Sequence, residues 1–147
     1  MPGGATPAIP TWRLAYEALP ESMKRRIEDV QVRYSMPTDL GYVRASDDHL
    51  ATLSSITHGL VQVDRLTGAR SVWPNVALFN GEVVLGDGDA TLLTELLEHC
   101  TADRFVYEHE WNVGDLLIWD NVATMHRREP FDPSSRRILR HLTVWRS

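Results

Sequence analysis

The run from Arg104 to Trp111 alternates without a break, and that alternation limits the fold more than any other stretch of the chain. Phe105, Tyr107, His109 and Trp111 fall on one side at a period of two, which a pleated strand satisfies and a helix does not. A tight-turn sequence, Asn112-Val113-Gly114-Asp115, follows, and then an apolar segment, Leu116-Leu117-Ile118-Trp119, expected to be a buried strand. Two strands joined by so short a turn must run antiparallel. The pattern recurs. Residues 56–63 alternate, Asp64-Arg65-Leu66-Thr67-Gly68 turns the chain, and Arg70-Ser71-Val72-Trp73 is extended again. A last strand runs from Arg137 to Trp145 behind the polar loop Asp132-Pro133-Ser134-Ser135. Short antiparallel strands with helices inserted between them predict an α+β, mainly β fold of the jelly-roll type.

The helical segments lie in two places. Leu14, Ala18 and Leu19 mark a short helix that Pro20 separates from a second, in which Met23, Ile27, Val30 and Tyr34 form one stripe at helical spacing. Asp89 stands ready to cap another helix running to about Thr101, with Leu92, Leu93, Leu96, Leu97 and Cys100 as its buried face. Residues 1–11, rich in proline and glycine, are expected to be a flexible start. Residues 36–55 show no period, and so long a loop within one domain is a candidate lid.

At 147 residues the chain is one domain at most. Its net charge of −5 argues against a nucleic-acid or anionic-membrane surface. Cys100 is the sole cysteine, which rules out an intrachain disulfide and a thiolate zinc site. With no apolar run near 18 residues and no signal peptide, the expected location is the cytoplasm.

The chemistry concentrates in Trp119-Asp120-Asn121-Val122-Ala123-Thr124-Met125-His126-Arg127-Arg128, where a strand end turns and delivers a histidine. On the last strand, alternation places Arg137, Leu139, His141 and Thr143 on one face and Ile138, Arg140 and Leu142 on the other. A histidine beside a strand that carries an arginine allows a metal ligand and a carboxylate clamp to share one mouth. By itself His126 would be read as a hydrogen-bonded structural histidine, and Trp119 as core. Glu108, His109 and Glu110 are expected to be ordinary strand residues, and His58 a structural residue near a sheet edge.

The pattern Trp-Asp-Asn-x4-His-Arg, followed by Arg137, resembles the TauD/TfdA (taurine and 2,4-D dioxygenase) family of Fe(II)- and 2-oxoglutarate-dependent dioxygenases. Further likenesses are Gly3-Gly4-Ala5-Thr6 to the family's Gly-Gly-Asp-Thr turn, Tyr16-Glu17-Ala18-Leu19-Pro20, and the hairpin 58–73. The resemblance implies a double-stranded β-helix, clavaminate synthase-like, of which residues 1–147 form an incomplete, C-terminal part. It implies His126 as a ligand of Fe(II), and Arg137 and Thr6 as contacts of 2-oxoglutarate. His141 and Trp119 would stand on the side of a small-molecule substrate, with Asp120 and Asn121 orienting His126. O₂ would be the co-reactant, and the substrate would be hydroxylated as 2-oxoglutarate is decarboxylated to succinate.

Two departures stand out. None of the six histidines is followed two positions later by a carboxylate, so the family's early His-x-Asp ligand pair is absent. His141 occupies a position where relatives carry a second arginine, which puts a strongly anionic substrate in doubt. Three readings stay open from sequence: a dioxygenase, a non-catalytic remnant or half-domain, and a fragment of a split or misannotated gene. The incomplete set of strands also predicts a homo-oligomer, or association with a chain carrying the missing N-terminal half.

Overall fold

The computed structural model describes residues 7–36, 55–76, 79–128, 138 and 140–144. The elements in chain order begin with β1 (Pro7–Pro10), α1 (Trp12–Glu17), α2 (Glu21–Ile27) and β2 (Gln31–Ser35). Then come β3 (Ile56–Gly59), β4 (Val61–Val63), β5 (Arg70–Val72), β6 (Asn80–Leu85) and α3 (Ala90–Cys100). A 3₁₀ turn (Asp103–Phe105), β7 (Val106–Glu108) and β8 (Arg127–Arg128) complete the set. The strands form sheets ordered β7-β1-β8, β3-β2-β6 and β4-β5, and every pairing is antiparallel.

For residues 7–10 the first strand corrects the expectation of a flexible start over 1–11, because Pro7–Pro10 lies in the middle of its sheet; residues 1–6 lie outside the described residues. Proline is tolerated there because Pro7 and Pro10 sit at the two ends of the strand, leaving Ala8 and Ile9 as the donors between them. Ala8 and Ile9 are both buried. The 36–55 lid candidate falls almost wholly outside the described residues.

The stripe Met23-Ile27-Val30-Tyr34 also needs correction. The helix ends at Ile27, and residues 31–35 form β2, with Val32 and Tyr34 buried and Gln31 and Arg33 exposed. A spacing of four is also an even number, so Val30 and Tyr34 satisfy a strand face as well as a helix face. Valine and tyrosine between polar neighbours favour the strand. The expected single strand 56–63 divides at Leu60, which is fully buried. Its amide donates to the Val30 carbonyl at 2.8 Å and its carbonyl accepts from Trp73 at 2.8 Å, so β3 pairs with β2 while β4 pairs with β5.

The core is one cluster in which Trp12, Ala15 and Tyr16 of α1 meet Leu92, Leu93, Leu96 and Cys100 of α3, with Ile27, Val30, Val32, Leu60 and Val72 completing it. Each buried leucine contributes about 2 kcal/mol of transfer free energy. Asp89 caps α3 as expected, accepting from Thr91 N at 2.9 Å and Leu92 N at 3.1 Å. Burial pushes the Cys100 thiol up to about 12, so it acts as a small hydrophobe. Gly86 is required where β6 leaves the sheet: its φ is +93° and a Cβ there would stand 2.9 Å from Val30 Cα.

Candidate functional site

The turn that carries His126 is built by Asp120. Its Oδ1 accepts from Val122 N at 2.8 Å, and its carbonyl accepts from Thr124 N at 3.0 Å and from Thr124 Oγ1 at 2.7 Å. These bonds close the 120–124 segment on itself, as an aspartate at a turn start does. The turn is then fastened to the N-terminal region. Trp12 N donates to the Ala123 carbonyl at 2.9 Å, Met125 N donates to the Pro10 carbonyl at 3.2 Å, and Thr11 bridges Thr124. Met125 packs against the core, while Ala8 pairs with Arg127 and Pro7 with Arg128. His126 is therefore held between a core-anchored methionine and a paired strand.

Three rings gather at this point. Trp119 lies 5.1 Å from His126 and stacks on His141 at 5.8 Å with an interplanar angle of 12°, and the two imidazoles are 6.4 Å apart. Asn121 Oδ1 accepts from Trp119 Nε1 at 2.8 Å and so fixes the indole. Asp120 thus shapes the turn that bears His126, whereas Asn121 acts on Trp119 and not directly on the histidine. The His126 pKa is held below its ordinary value, first by partial loss of hydration and then by the neighbouring charge of His141. His126 nevertheless keeps an open side to solvent. A neutral imidazole with an exposed lone pair is the form that binds a metal.

Among the described residues no group of three or more histidine, cysteine, aspartate or glutamate side chains could hold a metal ion. His126 fits as one ligand, and the described residues do not complete a facial triad. Arg137 and Thr6, the expected 2-oxoglutarate contacts, lie outside the described residues. The expected buried strand Leu116–Trp119 is corrected. This segment pairs with no strand among the described residues, and Leu116 and Ile118 are 83% and 82% exposed. Leu117 and Trp119 are half-buried, so the alternation survives although the burial does not.

Other histidines have structural partners. His58 stacks on Tyr34 at 4.9 Å and meets Trp73 in a T-shaped contact at 4.8 Å on the edge strand β3, as expected of a structural residue. His109 is less ordinary than its strand position suggested. It lies 3.1 Å from Asp115 across the turn, against Trp111 at 4.6 Å and near the Tyr107 hydroxyl at 3.3 Å. The Asn112 amide, aided by the His109 charge, holds the Asp115 carboxyl below the usual carboxylate range. The signal for this pair was the turn itself, since Gly114 at φ +97° folds Asp115 back toward the preceding strand.

The profile of the family described as taurine catabolism dioxygenase TauD, TfdA matches residues 2–143. The chain is 32% identical over 146 residues to the alpha-ketoglutarate-dependent 2,4-dichlorophenoxyacetate dioxygenase of Cupriavidus pinatubonensis, spanning 97% of this chain and 51% of that protein. It is 30% identical over 158 residues to the pentalenolactone F synthase of Streptomyces arenae, spanning 95% and 52%. Among solved structures, AAD-2 in complex with Mn(II) and N-oxalylglycine superposes with a TM-score of 0.78 at 28% identity, over 92% of this chain and 55% of that one. A taurine dioxygenase from Burkholderia xenovorans shares the fold, with a TM-score of 0.70 at 23% identity over 87% of this chain and 42% of its own length. The architecture is that of the jelly-roll dioxygenases, and the chain spans about half the length of the curated relatives it matches.

Proposed function

Because this chain belongs to the taurine catabolism dioxygenase TauD/TfdA family, we propose that it forms part of an Fe(II)- and 2-oxoglutarate-dependent dioxygenase that hydroxylates a small organic substrate. The observation that carries this reading is the fixed turn that presents a neutral-favoured His126 beside the stacked Trp119 and His141. In this reading His126 is one iron ligand, and Arg137 pairs bidentately with the distal carboxylate of 2-oxoglutarate, assisted by Thr6. Trp119 and His141 face the substrate, and Asp120 holds the turn. The iron, with O₂ and 2-oxoglutarate, would supply the oxidising chemistry, with succinate and carbon dioxide as co-products. Residues 1–147 act as one part of a single domain, located in the cytoplasm and associated with a polypeptide carrying the remaining ligands.

A non-catalytic half-domain is the second reading, favoured by a sequence in which no histidine is followed two positions later by a carboxylate. Anaerobic addition of Fe(II) and 2-oxoglutarate separates the readings. The 147-residue chain alone is expected to give no charge-transfer band of a chelated keto acid. With the remaining half of the domain supplied, the band and succinate release appear. Full turnover by the chain alone would overturn the division of ligands, and no band in either case would favour the non-catalytic reading.

A further inference from the structure

We infer that Leu116, Ile118, Ile138, Leu142 and Val144 form the docking face for the half of a TauD/TfdA domain that the relatives carry beyond the stretch matched here. The inference rests on the functional reading above and names the surface through which the two halves engage. Leu116 and Ile118 are 83% and 82% exposed, Leu142 and Val144 are 85% and 83%, and Ile138 is 70%. The stack of Trp119 on His141 brings the two segments together. In both segments the site rings occupy odd positions and the exposed aliphatic side chains even ones, the distribution of a two-faced sheet. At 116–119 the odd positions are half-buried and the even ones exposed, while 140–144 is exposed at every position.

At roughly 100 Å² of apolar side chain each, these residues present on the order of 500 Å², near the upper end of what a monomeric protein leaves in solvent. Segments 116–119 and 140–144 also pair with no strand among the described residues. An unpaired row with alternate apolar side chains is what an added strand recognises, through its backbone and through pockets for alternate residues. Arg140 interrupts the row and sets one positive charge for an acidic side chain on the docking half to meet.

The comparisons indicate which occupant fits. Over 92% of its length this chain superposes on AAD-2, yet it accounts for only 55% of that chain. The rest of such a domain must pack on some surface of this part, and both edges of the central strands β1 and β2 are already taken. Leu66, equally exposed at 83%, stands at the tip of the 64–68 turn and belongs to no such row.

The test is made without iron or keto acid, so that its failure and that of the functional reading are distinguishable. The chain is produced alone and with a separate polypeptide comprising the portion of the Cupriavidus pinatubonensis dioxygenase that it does not match. Both samples are analysed by size-exclusion chromatography with light scattering. We expect a one-to-one complex, weakened at least about tenfold by Ile118→Arg and by Leu142→Arg, as loss of a buried anchor does. Leu66→Arg leaves it unchanged. In the unsubstituted complex, hydrogen exchange slows at 116–119 and 140–144, a readout that needs no variant to fold. A complex indifferent to both substitutions and without protection at these segments overturns the inference. So does a monodisperse monomer that binds nothing, and so does a homodimer dissolved by the same substitutions, which would give the face to a second copy.

Discussion

Replacing Asp120 by alanine isolates the device that presents His126. The substitution removes the Oδ1 acceptor 2.8 Å from Val122 N but leaves the Asp120 carbonyl, which still receives Thr124 N and Thr124 Oγ1. Loss of one such side-chain cap costs about 1 kcal/mol, with the half-exposed setting keeping it near the middle of the usual range. That is a factor of about five in the population of the ordered turn. The core at Leu92, Leu93 and Leu96 is untouched, so the effect should be local. Hydrogen exchange resolved by residue is the assay: the Val122 and Thr124 amides should exchange about fivefold faster. The amides of α3 should keep their protection. Unchanged exchange at Val122 and Thr124 would refute the role given to Asp120, as would loss of protection throughout the molecule.

Three further outcomes are expected. Leu96→Ala should cost about 3 kcal/mol and lower the melting midpoint by roughly 10 °C, measured by circular dichroism, because the side chain is almost fully enclosed between helices. Since the folded-state pKa of His126 is depressed, its contribution to stability is complete above the ordinary histidine value and is lost as pH falls through the folded pKa; NMR titration should place its midpoint below that of an exposed histidine. His141→Gln should raise that midpoint only part of the way, because loss of hydration is the larger cause. In a preparation that binds 2-oxoglutarate, Arg137→Lys should weaken the keto acid more than Arg140→Lys, since the period-two pattern of the sequence puts the two on opposite faces of the expected strand; equal losses would contradict that expectation.

What could be read from the sequence were elements whose determinants are local. Asp89 and the leucines of α3 lie within one helix, and Asp64 builds its own turn through Leu66 N and Thr67 N. The expected position of β5 after that turn holds for the same reason. Elements fixed by distant partners were not legible. β1 is a strand because β7 and β8 flank it, which no feature of Pro-Ala-Ile-Pro announces. β6 gave no clear signal either, because its consecutive Val83, Val84 and Leu85 hide the alternation. At the site, residue types and their order pointed to Trp119 and His126. The bonds from Trp12 to Ala123 and from Met125 to Pro10 join segments more than a hundred residues apart and leave no trace in either one.

Those last bonds have a consequence for the order of events at the ribosome. The partners of β1 are Val106–Glu108 and Arg127–Arg128, so its backbone donors wait through most of the stretch's synthesis before either neighbour exists. Contacts of such sequence separation form late, after closure of a long loop, whereas α3 and the 64–68 hairpin can form as they emerge. His126 therefore gains its fixed position only after the segment 120–125 has returned to Pro10–Trp12, a late step by the separation of those partners.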